Sequence, residues 1–331
     1  MIEVRELTKS YGPTLAVNNV SFNANIGEVV GFIGPNGAGK TTTMRILTCY
    51  LTADAGTATV AGFDVLEHAI DVRKNVGYLP ESAPLYADMG VVEYLKFMAE
   101  IREIPKTRRK ERIRTVVDIC GLEGVIQKDI GELSKGYRQR VGLAQSLIHD
   151  PPILILDEPT SGLDPTQTIE IRNLIKEIGT EKLVLFSTHI LPEVAATCSR
   201  ILMISRGKIV ANGTLEELIN QVRSENKLHV AIKGTEDEIT TKLRGLDGIT
   251  GVTPVKTDNG IVRYEITTTH EGPDATGAIF NAAVQNRWDL VELHEESIDL
   301  EQIFLHYTTG QISGTPTKSV VNEDIDSTEE E

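Results

Sequence analysis

No apolar run in this chain of 331 residues approaches the ~20 that a membrane-spanning helix requires. Any membrane role therefore has to come through a partner. The first residues, MIEVRELTKSYG, scatter charge through the segment and hold no apolar core, so no secretory signal peptide is expected and the cytosol is. Cysteine is scarce too. Cys49, Cys120 and Cys198 stand far apart without CxxC or Cys/His spacing, which argues against a zinc or disulfide framework and for small buried hydrophobes. An excess of cations is also missing: Lys plus Arg is 33 against 48 Asp plus Glu, a net charge of −15 that repels a phosphate backbone and speaks against nucleic acid as a partner. The one basic run, KTRRKERIR at 106–114, lacks interleaved aromatics and reads as a solvated helix face. What remains, 40% apolar and 24% charged, is the composition of a soluble globular protein. Its length suits about two domains of roughly 150 residues each.

Up to about residue 80 the apolar runs are short and β-branched, as in EVVGFIG and GTATVAGFDV, and predict strands. From Val91 to about Ile148 the period becomes helical, with Val92, Leu95, Phe97, Met98 and Ile101 on one face, so a helical insert at about 86–150 interrupts an α/β domain. ILILD then returns as a buried strand, followed by a strand in KLVLFSTH and a hairpin turning at Gly207. Thr214 to Glu217 has the capping-box form of a final helix, and the first domain spans 1–222. Residues 228–307 carry their own rhythm, strand, helix opened by a capping box Thr235 to Glu238, two strands, helix, strand: the β-α-β-β-α-β pattern of a small α+β domain. A last helix places Leu300, Ile303, Phe304 and Tyr307 on one face. The tail 311–331, rich in Pro, Thr, Ser and acids, is expected to be disordered.

GPNGAGKT at 34–41 matches G-x-x-x-x-G-K-[ST] between the strand VVGFI and the helical TTTMRILTCY. In that setting the backbone of Gly34, Pro35, Asn36, Gly37, Ala38 and Gly39 closes around a β-phosphate, and Thr42 continues the cradle. Lys40 reaches the β- and γ-phosphates, and the Thr41 hydroxyl ligates Mg²⁺. ILILDE ends a buried strand in two acids; Asp157 suits the Mg²⁺ and Glu158 suits a base for the attacking water, although paired acids there also cap a following helix. LSKGYRQRVGLAQSL at 133–147 opens a second helix with Ser134 as N-cap and Gly136 in its first turn, a terminus ready for another anion.

The order of these motifs resembles the ATP-binding subunits of ABC transporters, from Tyr11 to His189. Here LSKGYRQR is similar to the ABC signature, SGLD at 161–164 to the D-loop, and FSTHI at 186–190 to the switch-histidine segment. The resemblance implies a P-loop NTPase fold: a RecA-like core with antiparallel β and helical subdomains, followed by the α+β domain. It implies an ATPase with ATP and Mg²⁺ as cofactors, in which two such domains pack head to tail and the signature of each covers the γ-phosphate held by the other. Ser134 and Gly136 would serve there, Asp164 in the D-loop would join them while also capping its helix, Tyr11 would stack on adenine and His189 would sense the γ-phosphate. Without the resemblance, Tyr11 could simply close a loop and His189 could be a core histidine.

Two departures stand out. Lys135 and Tyr137 replace the signature's usual glycine and glutamine, and Glu81 replaces the glutamine of the Q-loop, where it would contact Mg²⁺. Glu81, the segment YLPESAPLY and the α+β domain resemble the drug-resistance, polysaccharide and gliding-motility exporters. The implied partners are a membrane-spanning permease and a second copy or a paralogue, with the chain peripheral on the cytoplasmic face of the inner (cell) membrane. The competing readings are a ribosome- or DNA-acting ABC protein and a nucleotide sensor without turnover. A single cassette, the acidic charge and Glu158 argue against them.

Overall fold

A computed structural model describes residues 1–222, 226–268, 274–295 and 300–309. Among these, the strands form three sheets. In the first, β1 (Ile2–Tyr11) pairs antiparallel with β2 (Thr14–Ala24) on one side and with β4 (Ala55–Val60) on the other, and β5 (Phe63–Asp64) completes the order β2-β1-β4-β5. Ile2, Val4, Leu7, Val17 and Val20 are buried in one core cluster, with register shifts in the β1–β2 ladder interrupting strict alternation.

The second sheet holds the nucleotide motifs. Its order is β10-β9-β3-β8-β7-β6, from β3 (Val29–Ile33), β6 (Val76–Leu79), β7 (Ile153–Asp157), β8 (Leu183–Thr188), β9 (Arg200–Ser205) and β10 (Lys208–Gly213). All neighbours are parallel except the hairpin of β9 and β10. Every residue of β3, β7 and β8 is buried, as befits parallel strands covered on both faces. The helix α1 (Lys40–Leu47) lies between the two sheets, with Met44, Ile46 and Leu47 in their shared core. The other face is covered by α6 (Pro165–Gly179) and α7 (Leu191–Thr197), while α2 (Ala69–Asn75) leads into β6. Each fully buried Leu or Ile here contributes about 1.5–3 kcal/mol.

Three α-helices form the body of the insert: α3 (Val91–Ile101), α4 (Lys106–Cys120) and α5 (Lys135–Leu147), with two short 3-10 turns between α4 and α5. The buried stripe of α3 is Val91, Tyr94, Leu95 and Ala99, one position round from the face expected from the apolar residues alone. Tyr94 and Ala99 belong to the apolar cluster that α3 shares with α4 and α5, Val92, Phe97 and Met98 are half-buried, and Ile101 is exposed. The basic run is solvated for the most part, but Arg112 turns inward to donate to the carbonyls of Leu147 and Ile148. Of the cysteines, only Cys120 is fully buried; Cys49 and Cys198 are partly exposed.

The first domain closes with α8 (Leu215–Val222), where Thr214 and Glu217 bond reciprocally: each backbone N–H donates to the other's side chain, at 2.9 and 3.1 Å. The third sheet is antiparallel, in order β12-β13-β11-β14, from β11 (Asn226–Lys233), β12 (Ile249–Asp258), β13 (Ile261–Thr268) and β14 (Asp289–Glu295). With α9 (Glu236–Arg244) and α10 (Ala275–Asn286) it makes the expected β-α-β-β-α-β unit. The Thr235–Glu238 box does not close: Thr235 is the N-cap without a side-chain bond, and Glu238 pairs instead with Lys242, 3.1 Å away on the next turn. Finally α11 (Leu300–Thr309) returns to the first domain, burying Leu300 and Ile303 against α7, α8 and β10. The tail 311–331 lies outside the described residues.

Candidate nucleotide site

The carboxyl ends of parallel strands are where an α/β sheet exposes its backbone and receives ligands. Here β3, β8 and β7 are neighbours, in a register that pairs Ile33 with Thr188 and Asp157 with Ser187. The residues that follow, Gly34, His189 and Glu158, therefore emerge side by side. From β3 the chain turns through Gly37 and Gly39, at φ 79° and 108°, into α1. Gly34 must also be small, because a Cβ there would lie 2.3 Å from the Ile204 carbonyl oxygen of β9. No side chain caps α1 and no acid occupies its first turn, so its free N–H groups and dipole remain available to an anion. Lys40, buried, donates to the Gly34 carbonyl at 2.8 Å and lies 3.5 Å from Glu158 Oε1.

Asp157 is 1% exposed and accepts the Ser187 hydroxyl at 2.6 Å. The same hydroxyl oxygen accepts the Glu158 N–H at 2.9 Å, so one serine on β8 fixes both acids on β7. Glu158 sits at φ 50°, a left-handed conformation that costs a non-glycine residue of order 1 kcal/mol or more and recurs where function demands it. Its Oε2 lies 3.0 Å from His189 Nδ1, and the carboxyl thus spans Lys40 and His189. His189 is half-exposed, not a core residue. Nearby, burial and then the charge of Asp157 push the Tyr78 phenol up to about 12, which keeps it neutral.

Tyr11, Ala16, the loop from Asn36 to Thr42, Glu81, Glu158 and His189 line one cavity of about 460 Å³. Glu81 reaches it from the connector after β6, whose Tyr86 is held by edge-on contacts with Tyr94 and Phe97 of α3 at 6.1 and 5.8 Å. Of the oxygen donors expected at Mg²⁺, Thr41 and Glu81 line the cavity, whereas Asp157, buried and bonded to Ser187, does not. Among the described residues no group of three or more His, Cys, Asp or Glu side chains could hold a metal ion by itself.

Ser134, Gly136 and Asp164 are not part of that cavity. Gly136 and Asp164 line a separate depression with Tyr137, Arg140 and Gln167. Ser134 caps α5 by accepting the Tyr137 N–H at 3.3 Å, and Asp164 caps α6 by accepting the Gln167 N–H at 2.9 Å, with Pro165 in the first turn. The close approach that Gly136 permits is made within the chain. A Cβ there would lie 2.4 Å from the Gln167 side-chain oxygen, and Arg140 pairs with Glu170 one turn further along. Sequence reasoning had no signal for Ser187 or Gln167, whose roles depend on strand register and helix packing.

A P-loop, a buried strand ending in two acids and a neighbouring strand ending in histidine define a P-loop ATPase core, and the helical insert with its capped α5 gives that core a second lobe. The ABC transporter family model matches residues 17–161. The uncharacterized ABC transporter ATP-binding protein YxlF of Bacillus subtilis is 39% identical over 70% of this chain and 77% of its own length. The linearmycin resistance ATP-binding protein LnrL of the same organism is 27% identical over 93% and 98%. Among solved structures, an ATP-binding subunit of an ABC transporter superposes with a TM-score of 0.61 at 27% identity, over 67% of this chain and 92% of the other. The chain belongs to the family of ABC transporter ATP-binding proteins, and it is an ATP-hydrolysing subunit. No helix among the described residues is long and apolar enough to cross a membrane.

Proposed function

We propose that this subunit powers export through a separate membrane-spanning permease, by ATP-driven head-to-tail pairing with a second copy or a paralogue at the cytoplasmic face of the cell membrane. The observation that carries this reading is the separation of the two anion sites: the P-loop cavity and the signature depression share no lining residue. An opposing chain would bring Ser134, Gly136 and Asp164 onto the phosphate held by Gly34 to Thr42, which makes ATP the glue of the dimer and its hydrolysis the release. Glu158 then acts as the base that orients the attacking water, Lys40 and His189 stabilise charge on the γ-phosphate, and Tyr11 stacks on adenine. Mg²⁺, held by Thr41, Asp157 and Glu81, would supply further neutralisation of the phosphates.

Export as the direction of transport is supported by likeness to the linearmycin resistance protein along nearly the whole chain, including the α+β domain. For the permease, the contact is the groove between core and insert. The connector 81–89 forms one part of it. A separate cavity of about 900 Å³ beside α2 and α3, with Ile70, Met98, Ile101 and Arg102 in its lining and no residue of the connector, offers a second part. A short amphipathic cytosolic helix fits such a surface. Purification of the tagged chain from detergent-solubilised membranes tests the reading. A polytopic membrane protein should come with it in constant ratio, and recovery of the chain without one would refute the assignment.

A further inference from the structure

One buried acid has no part in the reaction described above. Glu193, in the first turn of α7, is 3% exposed. An acid at a helix N-terminus favours the helix dipole, but this side chain does not turn back onto α7. Its Oε2 accepts two hydroxyls from elsewhere: that of Thr160 at 2.8 Å and that of Thr188 at 3.0 Å. Thr160 lies two residues beyond Glu158, and Thr188 immediately precedes His189. The Thr188 oxygen in turn accepts the Ile190 N–H at 3.0 Å, so the backbone on both sides of His189 is gripped.

We propose that Glu193 is a positioning residue for ATP hydrolysis, which fixes the distance between the water-orienting Glu158 and the switch residue His189 by holding the segments behind both on a single carboxyl oxygen. The inference rests on the roles given to Glu158 and His189. It follows from the geometry of two ties. Ser187 joins β8 to β7 through the Asp157 side chain and the Glu158 N–H, and Glu193 joins the residues just past those strands. Between them stands the 3.0 Å contact of Glu158 with His189. If the second tie is cut, each hydroxyl is left buried without its acceptor, and the two segments can separate by the fraction of an ångström that matters for in-line attack. The lever behind Glu193 is also braced. On its other side α7 presents Leu191 and Val194 to the same apolar cluster as Leu300 and Ile303 of α11, so the last helix of the chain holds α7 in place.

The test is turnover and ATP affinity measured separately on the full-length protein. Glu193→Leu keeps the bulk but no acceptor and should lower kcat roughly 10- to 100-fold, with the Kd of a fluorescent ATP analogue unchanged. Glu193→Gln keeps an acceptor oxygen and should restore most of the turnover. A folded Glu193→Leu protein with wild-type kcat, or a Gln variant as impaired as the Leu one, overturns the proposal. Should Glu193→Leu fail to fold, the double variant Thr160→Val/Thr188→Val cuts the same bonds and leaves the carboxyl; loss of kcat at constant Kd supports the proposal and wild-type kcat overturns it. His189→Ala run in parallel keeps the two ideas apart, since full activity there would refute the role of the switch histidine whatever Glu193 does.

Discussion

The P-loop half and the signature half of this subunit, which the proposed function assigns to one phosphate, differ in construction. The first is made of strand ends. Its acids are buried, its lysine is enclosed, and the hydroxyl of Ser187 pins Asp157 and Glu158 at hydrogen-bond distance. The second is a capped helix terminus on the surface, with Ser134 exposed and nothing from the P-loop cavity beside it. Rigid, dry surroundings suit the half where bonds change, because fixed dipoles are worth most where water is excluded. An exposed terminus suits the proposed role of meeting and leaving a partner.

The largest expected effect is on the buried half. Glu158→Gln should lower turnover by roughly 10²–10⁴-fold, the usual worth of a positioned base, while ATP binding persists and a dimer accumulates in Mg-ATP by light scattering. A mutant that hydrolyses at the wild-type rate, or binds ATP and stays monomeric, breaks the comparison at its base. Next comes complementation between the halves. Ser134→Ala and Lys40→Ala should each depress turnover, by roughly 10²-fold or more, and mixing them should restore part of it, because a mixed dimer has one site with both components intact. Strictly additive loss after verified subunit exchange would place both halves in one chain.

A smaller effect is expected at Glu81, which stands at the edge of the buried half and brings a third acid near Asp157 and Glu158. Glu81→Gln should keep substantial activity and saturate at lower Mg²⁺, whereas Glu81→Ala should lose turnover; three superimposable Mg²⁺ titrations would remove Glu81 from the metal's reach. The smallest effect lies behind α5. His149 donates from Nε2 to the Val76 carbonyl at 3.1 Å, tying the end of the signature helix to β6. Burial, and next the charge of Arg102, lower its pKa from 6.5 to about 4. Between those values the unfolded chain binds a proton that the folded one refuses, so stability is full above pH 6.5 and falls as the pH drops toward 4. Urea midpoints of His149→Gln should fall less steeply across that window than those of the wild type, with turnover at neutral pH unchanged; parallel slopes would assign the acid sensitivity elsewhere.

Much of this was legible in the residues. The P-loop between strand and helix, the acids at the end of ILILD, the caps Ser134 and Asp164 and the β-α-β-β-α-β rhythm all rest on interactions within a few positions, and all are found. Reading by apolar count misplaced the stripe of α3, since Tyr94 and Ala99 are buried in a cluster that α3 shares with α4 and α5. The capping box at Thr235 failed for a related reason: Glu238 had a second local partner in Lys242, and nothing in the spacing ranks the two.

The sequence by itself determined the local elements of this protein: the glycine-rich loop between a strand and a helix, the acids that end a buried strand, and a second helix opened by the Ser134 cap, because each depends on residue type at short, fixed spacing. Tertiary structure alone decided which of these share a cavity. Strand order places β8 between β3 and β7, and register sets Ser187 beside Asp157; through those two facts, residues about 30 to 120 positions apart meet at bonding distance, while Ser134, closer in sequence to Glu158 than Lys40 is, stays outside. Contacts between distant segments follow from how whole elements stack to bury their apolar faces, and that is a property of the assembled fold, not of any local pattern.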